Sequence, residues 1–324
     1  MRLLKLLAAL TALVISPAWA QNAEVNWPTK PIRFIVPFPA GSAVDVVARL
    51  IGQRIGPRLG RQLVVDNRVG ASGSVGALAL ARSAPDGYTI GLVTTSTHAV
   101  AVSLNANLPY DPLKDFLPIG MIGHSPYVVA VYPGVQAKSV RELVALAKAQ
   151  PRALNYASVG PASLANLAVE LFSHSTQVQL THVPYRSSAQ ALLDLIEGRI
   201  QLQFGTPGPT LPYIRDGKVR ALGVTSAKRL SSLPDVPTLM EAGIPGYDAS
   251  LWMGLMVPPA TPATIVSRWN RELNAFLESP DGRNSLIAQG VEPDPGSANA
   301  LQEHIRTDIE KWRGVIKRAG ITAE

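Results

Sequence analysis

The sequence has 324 residues, 30 Lys and Arg against 23 Asp and Glu, and a net charge of +7. It contains no cysteine, which excludes disulfides, thiol nucleophiles, Fe–S clusters and thiolate zinc sites. The bases are scattered, with no Lys/Arg run and no interleaved aromatics to grip nucleic acid, so they read as a solvated surface or as a mild field favouring anionic ligands.

Arg2 and Lys5 open the chain, an apolar run from Leu6 to Ile15 follows, and Ser16-Pro17 ends it. Ala18-Trp19-Ala20 then offers small residues at the two positions a signal peptidase needs. Residues 1–20 therefore read as a secretory leader cleaved after Ala20. The run is too short for a membrane span, which takes about 20 apolar residues. The remainder suits two lobes better than one core. An exported chain without disulfides fits a bacterial periplasm.

Short β-like runs then alternate with amphipathic helices. Ile32 to Val36 is a strand, and a helix from about Ser42 to Leu59 carries Val46, Val47, Leu50, Ile51 and Ile55 on one face. Leu63 to Val65, a helix near Ser74 to Arg82, and Tyr88 to Val93 follow, with Asp86-Gly87 as a turn. After a proline-punctuated stretch the pattern restarts at Tyr127 to Val131. Ser139-Val140-Arg141-Glu142 is a capping box that opens a helix through Lys148. Leu154 to Ala157, Val178 to Val183, Ile200 to Phe204 and Val219 to Thr225 read as strands, with helices from about Ala162 and from Ser187. The C-terminal part reads as mostly helical, and Leu301, Ile305, Ile309, Trp312 and Ile316 mark one face of a closing helix. The alternation predicts an α/β protein, each lobe a mostly parallel sheet flanked by helices. A joint near residues 119–126 gives residues 21–121 plus about 246–324 as one lobe and about 122–245 as the other, with the closing helix able to cross between them. A cleft at the carboxyl ends of the strands is the expected ligand site.

Three loops have the composition for anion binding. Pro37 to Asp45 is rich in small residues and opens a helix, so it can present free backbone N–H groups and a positive helix end. The same residues suit an ordinary β-α turn, with Gly41 for backbone freedom and Asp45 for the first-turn dipole. Asn67 to Gly76 has glycines at every third position; it matches no nucleotide motif and reads as close helix–sheet packing. Ser158 to Ser163 repeats the first arrangement, and Ser163 either caps the helix or reaches a ligand. His98 either lines the cleft or is a polar residue at a strand end. The histidines show no metal spacing and no G-x-S-x-G elbow occurs, so an enzyme, such as a secreted hydrolase, is disfavoured.

Several segments in order resemble one family. They include Trp27-Pro28-Thr29-Lys30-Pro31-Ile32, Val36 to Gly41 with Asp45, Asn67-Arg68-Val69-Gly70-Ala71 and Ala84 to Thr89. Leu108 to Leu113, Leu154 to Ser158, His182 to Tyr185, Ala221 to Arg229 and Leu233 to Thr238 continue the set. From about Trp27 to Gly320 the chain resembles the Bug-type solute-binding receptors of tripartite tricarboxylate transporters. The resemblance implies a two-lobed periplasmic binding protein of the Venus-flytrap type, with no enzymatic activity and no cofactor. It implies capture of a small organic acid and delivery to a two-component membrane permease, with an orphan sensor for a signalling partner as the alternative. A monomer suits this mechanism. By resemblance the carboxylate clamp falls on Phe38, Pro39, Ala40, Gly41, Ser42 and Asp45 and on Ser158, Gly160 and Ser163. Thr95, Ser96, His98, Tyr185, Arg186, Gly205 and Thr206 would complete the pocket, Arg186 being either a direct charge partner or a solvated side chain.

The chain departs from the family pattern at several of these positions. Ser42 replaces a second glycine, Ala162 to Asn166 replaces Gly-Ser-Ser-Ser-His, Arg186-Ser187 replaces Lys-Gly, and Gly205-Thr206 replaces Asp-Asn. Without an acid at 205 an ammonium group loses its partner, and Leu164 adds apolar surface. A plain or aromatic carboxylate is expected in preference to an acidic amino acid.

Overall fold

The computed structural model describes residues 27–105, 107–160 and 163–321; the expected leader, residues 1–20, lies outside them. In chain order the first part comprises β1 (Ile32–Val36), α1 (Ala43–Leu59), β2 (Leu63–Asn67), α2 (Ser74–Ala81), β3 (Thr89–Thr94), a π-turn at Ser96–Val100, α3 (Ala101–Leu104) and β4 (Leu117–Pro126). There follow β5 (Val128–Val131), α4 (Val140–Ala149), β6 (Asn155–Ser158), α5 (Leu164–Thr176), β7 (Thr181–Pro184), α6 (Ser188–Ile196), β8 (Leu202–Gly205), α7 (Pro207–Arg215) and β9 (Arg220–Val224). The chain ends with β10 (Ser250–Val257), α8 (Ala263–Glu278), α9 (Pro280–Ala288), β11 (Glu292–Pro293) and α10 (Ala298–Ala319).

Local chemistry explains the helix boundaries. Ser42 caps α1 by accepting from the Asp45 amide at 3.3 Å, and Gly60 ends it in the left-handed region at φ 71°. Ser139 caps α4 by accepting from the Glu142 amide at 3.2 Å. Glu142 reaches back to the Lys138 amide at 2.7 Å, one residue before the expected capping-box partner. The face of α10 read from periodicity is the buried one: Leu301, Ile305, Ile309, Trp312 and Ile316 all lie in the core.

Among the described residues the strands form two mixed sheets. The first runs β11-β4-β10-β3-β1-β2 and the second β7-β6-β8-β5-β9. In the first, β1 is parallel to β2 and β3, whereas β10 is antiparallel to β3 and β4. In the second, β6 is parallel to β7 and β8, whereas β5 is antiparallel to β8 and β9. The segment expected to be a joint is β4, which carries the first sheet on to Pro126, past the expected boundary at residue 121. Prolines at 118 and 126 and glycines at 120 and 123 hide it, since both residue types are depleted in strands.

The two sheets meet at one crossing. Pro126 pairs with Ser250 in the first sheet, and Val128 pairs with Gly205 and Val224 in the second. Between them the Tyr127 amide donates to Thr225 Oγ1 at 2.7 Å, and the Thr225 amide returns a bond to the Tyr127 carbonyl at 3.0 Å. Thr225 Oγ1 donates onward to the Ala249 carbonyl at 2.8 Å. Thr94, the carboxyl end of β3, pairs with Met253 near the start of β10. The carboxyl ends of the parallel strands of both sheets therefore approach the same crossing.

Helix α10 spans both halves, packing on β4 and on α5. Asp308, 2% exposed, accepts the indole N–H of Trp252 at 2.7 Å and that of Trp312 at 3.0 Å, which pins α10 to β10. One apolar core runs from the first sheet beneath α10 into the second, and another fills the space between the first sheet, α1 and α8.

Candidate functional site

The loop from β1 to α1 leaves the carboxyl end of β1 and is the first candidate wall of a ligand site. Pro39, Ala40 and Gly41 are exposed, Phe38 and Ser42 half-buried. Gly41 has φ +80°, and no atom lies within 4 Å of where a Cβ would stand. Asp45 is an internal brace, only 1% exposed. Its Oδ2 accepts from the Gly41 amide at 2.9 Å and from Arg49 Nε at 2.8 Å, and its Oδ1 accepts from Asn67 Nδ2 at 2.9 Å. Asn67 Nδ2 also donates to the Phe38 carbonyl at 2.9 Å. Burial alone would raise the Asp45 pKa, but the bonds from Arg49, Asn67 and Gly41 outweigh it and hold the carboxyl below its usual value.

This bonding changes which amides are free. The Gly41 amide is spent on Asp45, and the Ser42 amide on the Pro39 carbonyl at 3.2 Å. Among the described residues the amides of Ala43 and Val44 have no acceptor, as the first turn of a helix requires. Both lie in the segment read as presenting free N–H groups, but the sequence does not single them out, because which amides a loop consumes depends on its folded geometry.

Two further loops back this wall. A Cβ on Gly73 would stand 2.6 Å from Thr97 Cγ2, and one on Gly76 would stand 2.7 Å from Pro37 Cα. The glycine-rich loop therefore permits close packing. Thr95 is fully buried, its Oγ1 accepting from the Trp252 amide at 2.9 Å. Ser96 is the half-exposed member of its segment. His98 is a correction: it is fully buried, 4.6 Å from the Phe116 ring, and cannot line a cleft. Burial holds its pKa down to about 3, so it is neutral. Thr97 Oγ1 lies 3.1 Å from the Thr94 carbonyl and 2.9 Å from His98 Nδ1, so that ring nitrogen is partnered inside the core.

On the second sheet, Ser158 to Gly160 and Ser163, between β6 and α5, are the second candidate wall. Ser163 is the cap: its hydroxyl donates to the Gly160 carbonyl at 2.7 Å and accepts from the Asn166 amide at 3.3 Å. Gly160 has φ +125°, with nothing within 4 Å of a would-be Cβ. Ser158 is 4% exposed, and its Oγ lies 2.7 Å from His182 Nε2 and 3.3 Å from the Gly160 amide that donates to it. The His182 ring stacks on Tyr156, centroids 5.0 Å apart at 28°. Tyr156 Oη lies 2.8 Å from Asn166 Oδ1 and 3.0 Å from Glu170 Oε1. Alternation along β6 puts Tyr156 and Ser158 on one face. The parallel register that sets His182 beside Tyr156 is not written in the sequence.

The remaining candidates divide. Tyr185 Oη donates to Asp194 Oδ2 at 2.7 Å, which commits its hydroxyl to α6; its backbone amide donates to the Ser158 carbonyl at 2.8 Å. Arg186 is exposed, with no side-chain partner among the described residues. Gly205 is buried, and a Cβ there would stand 2.8 Å from Thr210 Oγ1. Thr206 precedes α7 without a side-chain cap bond. Surface hollows of about 550 Å³ between α5 and α10 and about 680 Å³ along α1 and β2 lie away from these loops. Chemically, the two walls offer helix N-termini with partial positive charge, suited to an anion.

A family model described as tripartite tricarboxylate transporter family receptor matches residues 47–321. The chain is 34% identical over 322 residues to Protein BugT of Bordetella pertussis, covering 99% of each. An R. palustris protein solved with adipate is 37% identical with a TM-score of 0.81, over 92% of this chain and 100% of that one. MatC from Rhodopseudomonas palustris, solved with malate, is 30% identical with a TM-score of 0.75, over 90% of this chain and 100% of that one.

Proposed function

Because the chain belongs to the family of tripartite tricarboxylate transporter receptors, we propose that it captures a small organic carboxylate between its two sheets and hands it to a two-component membrane permease. Residues 1–20 act as the export leader, cleaved after Ala20, and the mature protein works in the periplasm as a monomer. The first sheet, with β4 through Pro126, belongs to one lobe and the second sheet to the other, α10 joining them.

The observation that carries this reading is the convergence of the parallel strands' carboxyl ends on one crossing, with the Ala43 and Val44 amides unpaired on one wall. A carboxylate at such amides forms charge-assisted hydrogen bonds of roughly 1.5–3 kcal/mol each. Contacts completed only when both walls close on the ligand shift the open–closed equilibrium. The exposed Arg186 supplies a cation at the second wall. Gly205 offers no carboxylate to an ammonium group, which favours plain acids over amino acids. Adipate and malate, bound by relatives, are the first candidates.

Isothermal titration with adipate, malate, benzoate and aspartate tests the proposal. Binding of at least one plain acid tighter than aspartate is expected. Tightest binding of aspartate overturns the stated preference, and absence of binding to all four overturns the receptor reading.

A further inference from the structure

The hydroxyl of Ser158 sits at the head of the second wall, and its proton has two destinations. One is His182 Nε2 at 2.7 Å; the other is the Gly160 carbonyl at 3.0 Å. That carbonyl already accepts from the Ser163 amide at 3.1 Å and from Ser163 Oγ at 2.7 Å. A neutral imidazole with its lone pair on Nε2 takes the Ser158 proton and leaves the carbonyl to Ser163. An imidazolium must donate from Nε2 instead, and Ser158 then turns its proton onto the crowded Gly160 carbonyl. Protonation of one ring therefore reverses the hydrogen-bond direction at the start of the loop.

The ring is held in place for this. It stacks on Tyr156, whose hydroxyl meets Asn166 and Glu170 on α5, the helix that the loop opens. β7 is an edge strand, so β6 packs against one side of it and supplies Tyr156 and Ser158. On α5, Glu170 is the charged group that acts on the ring among the described residues. We infer that His182 is a positioning residue for Ser158, Gly160 and Ser163 and makes carboxylate capture proton-linked, tighter as pH falls. This rests on the reading of those residues as an anion wall.

The sign follows from charge. Burial holds the free His182 below the usual histidine range, with Glu170 working against it. A carboxylate arriving nearby favours the imidazolium, so the bound-state pKa exceeds the free one. Affinity is flat above the bound-state value and rises as pH falls through it.

The test is titration calorimetry with adipate and malate between pH 6 and 8.5, where both acids are largely ionised. The wild-type Kd should fall about three- to tenfold on going from pH 8 to pH 6. His182→Gln keeps a donor at the Ser158 oxygen without a titrating charge, and its profile should be flat. His182→Phe keeps the stacking, loses the bond, and should bind about tenfold more weakly throughout. NMR titration of the wild-type imidazole gives a readout independent of variant folding: its pKa should rise on adding ligand. A pH-independent wild-type Kd, or an imidazole pKa unmoved by bound acid, overturns the inference and leaves the receptor reading standing. Absence of binding to either acid at every pH overturns the inference as posed, and absence of binding to the wider panel overturns the receptor reading.

Discussion

Replacing Asp45 with Asn isolates the brace beneath the first wall. The carboxylate takes the Gly41 amide on one oxygen and the Asn67 amide on the other, at 2.9 Å each. An asparagine has one acceptor oxygen, so its NH₂ must face one of these donors. The change removes one charge-assisted bond and buries a donor without an acceptor, a loss of about 2–4 kcal/mol. Arg49 is left out of this figure, because its side chain is 49% exposed and solvent screens the pair. In a chain of this size that loss lowers Tm by about 4–10 °C. The pH dependence has a definite sign: Asp45 is held below its usual value, so its stabilisation is complete above roughly pH 5 and disappears as pH falls through the depressed pKa. The gap in Tm between wild type and variant, read by calorimetry, should close in acid. With the brace beneath the loop loosened, adipate affinity should fall about tenfold, or about 1.4 kcal/mol. An unchanged Tm at neutral pH together with an unchanged Kd refutes the reasoning.

Other substitutions separate binding from folding. A Cβ at Gly41 meets no atom within 4 Å, so Gly41→Val should cost mainly the backbone strain of a side chain at φ +80°, about 1–3 kcal/mol, while blocking carboxylate binding by calorimetry. Ser163→Ala removes the α5 cap and should cost about 1 kcal/mol in urea unfolding, with weaker binding. Asp308→Ala strands the buried Trp252 and Trp312 indoles and should cost about 3–5 kcal/mol by the same assay.

Much of this molecule is legible from period and punctuation. The apolar stripe of α10, the Ser139–Glu142 cap and the β-α alternation each follow from spacing within one segment. What escaped depends on contacts between segments. β4 hides behind its prolines and glycines, and β10, an unbroken apolar run from Leu251 to Val257, gives no periodicity to separate strand from buried helix. His98 sits in a polar Thr-Thr-Ser-Thr-His stretch, yet Thr97 satisfies one ring nitrogen and Phe116 and Tyr110 enclose the ring. Asp45 looked like a first-turn acid, and its second task of consuming the Gly41 amide appears only when the loop closes. His182 escaped because cross-strand register sets it beside Tyr156 and within reach of Ser158.

A crystal structure of the mature protein with adipate addresses the central claim most directly. One carboxylate should accept from the Ala43 and Val44 amides at hydrogen-bonding distance, with the other end of the acid against Ser158, Gly160 and Ser163. Adipate seated instead in the hollow between α5 and α10, or held without those amides, would contradict the account.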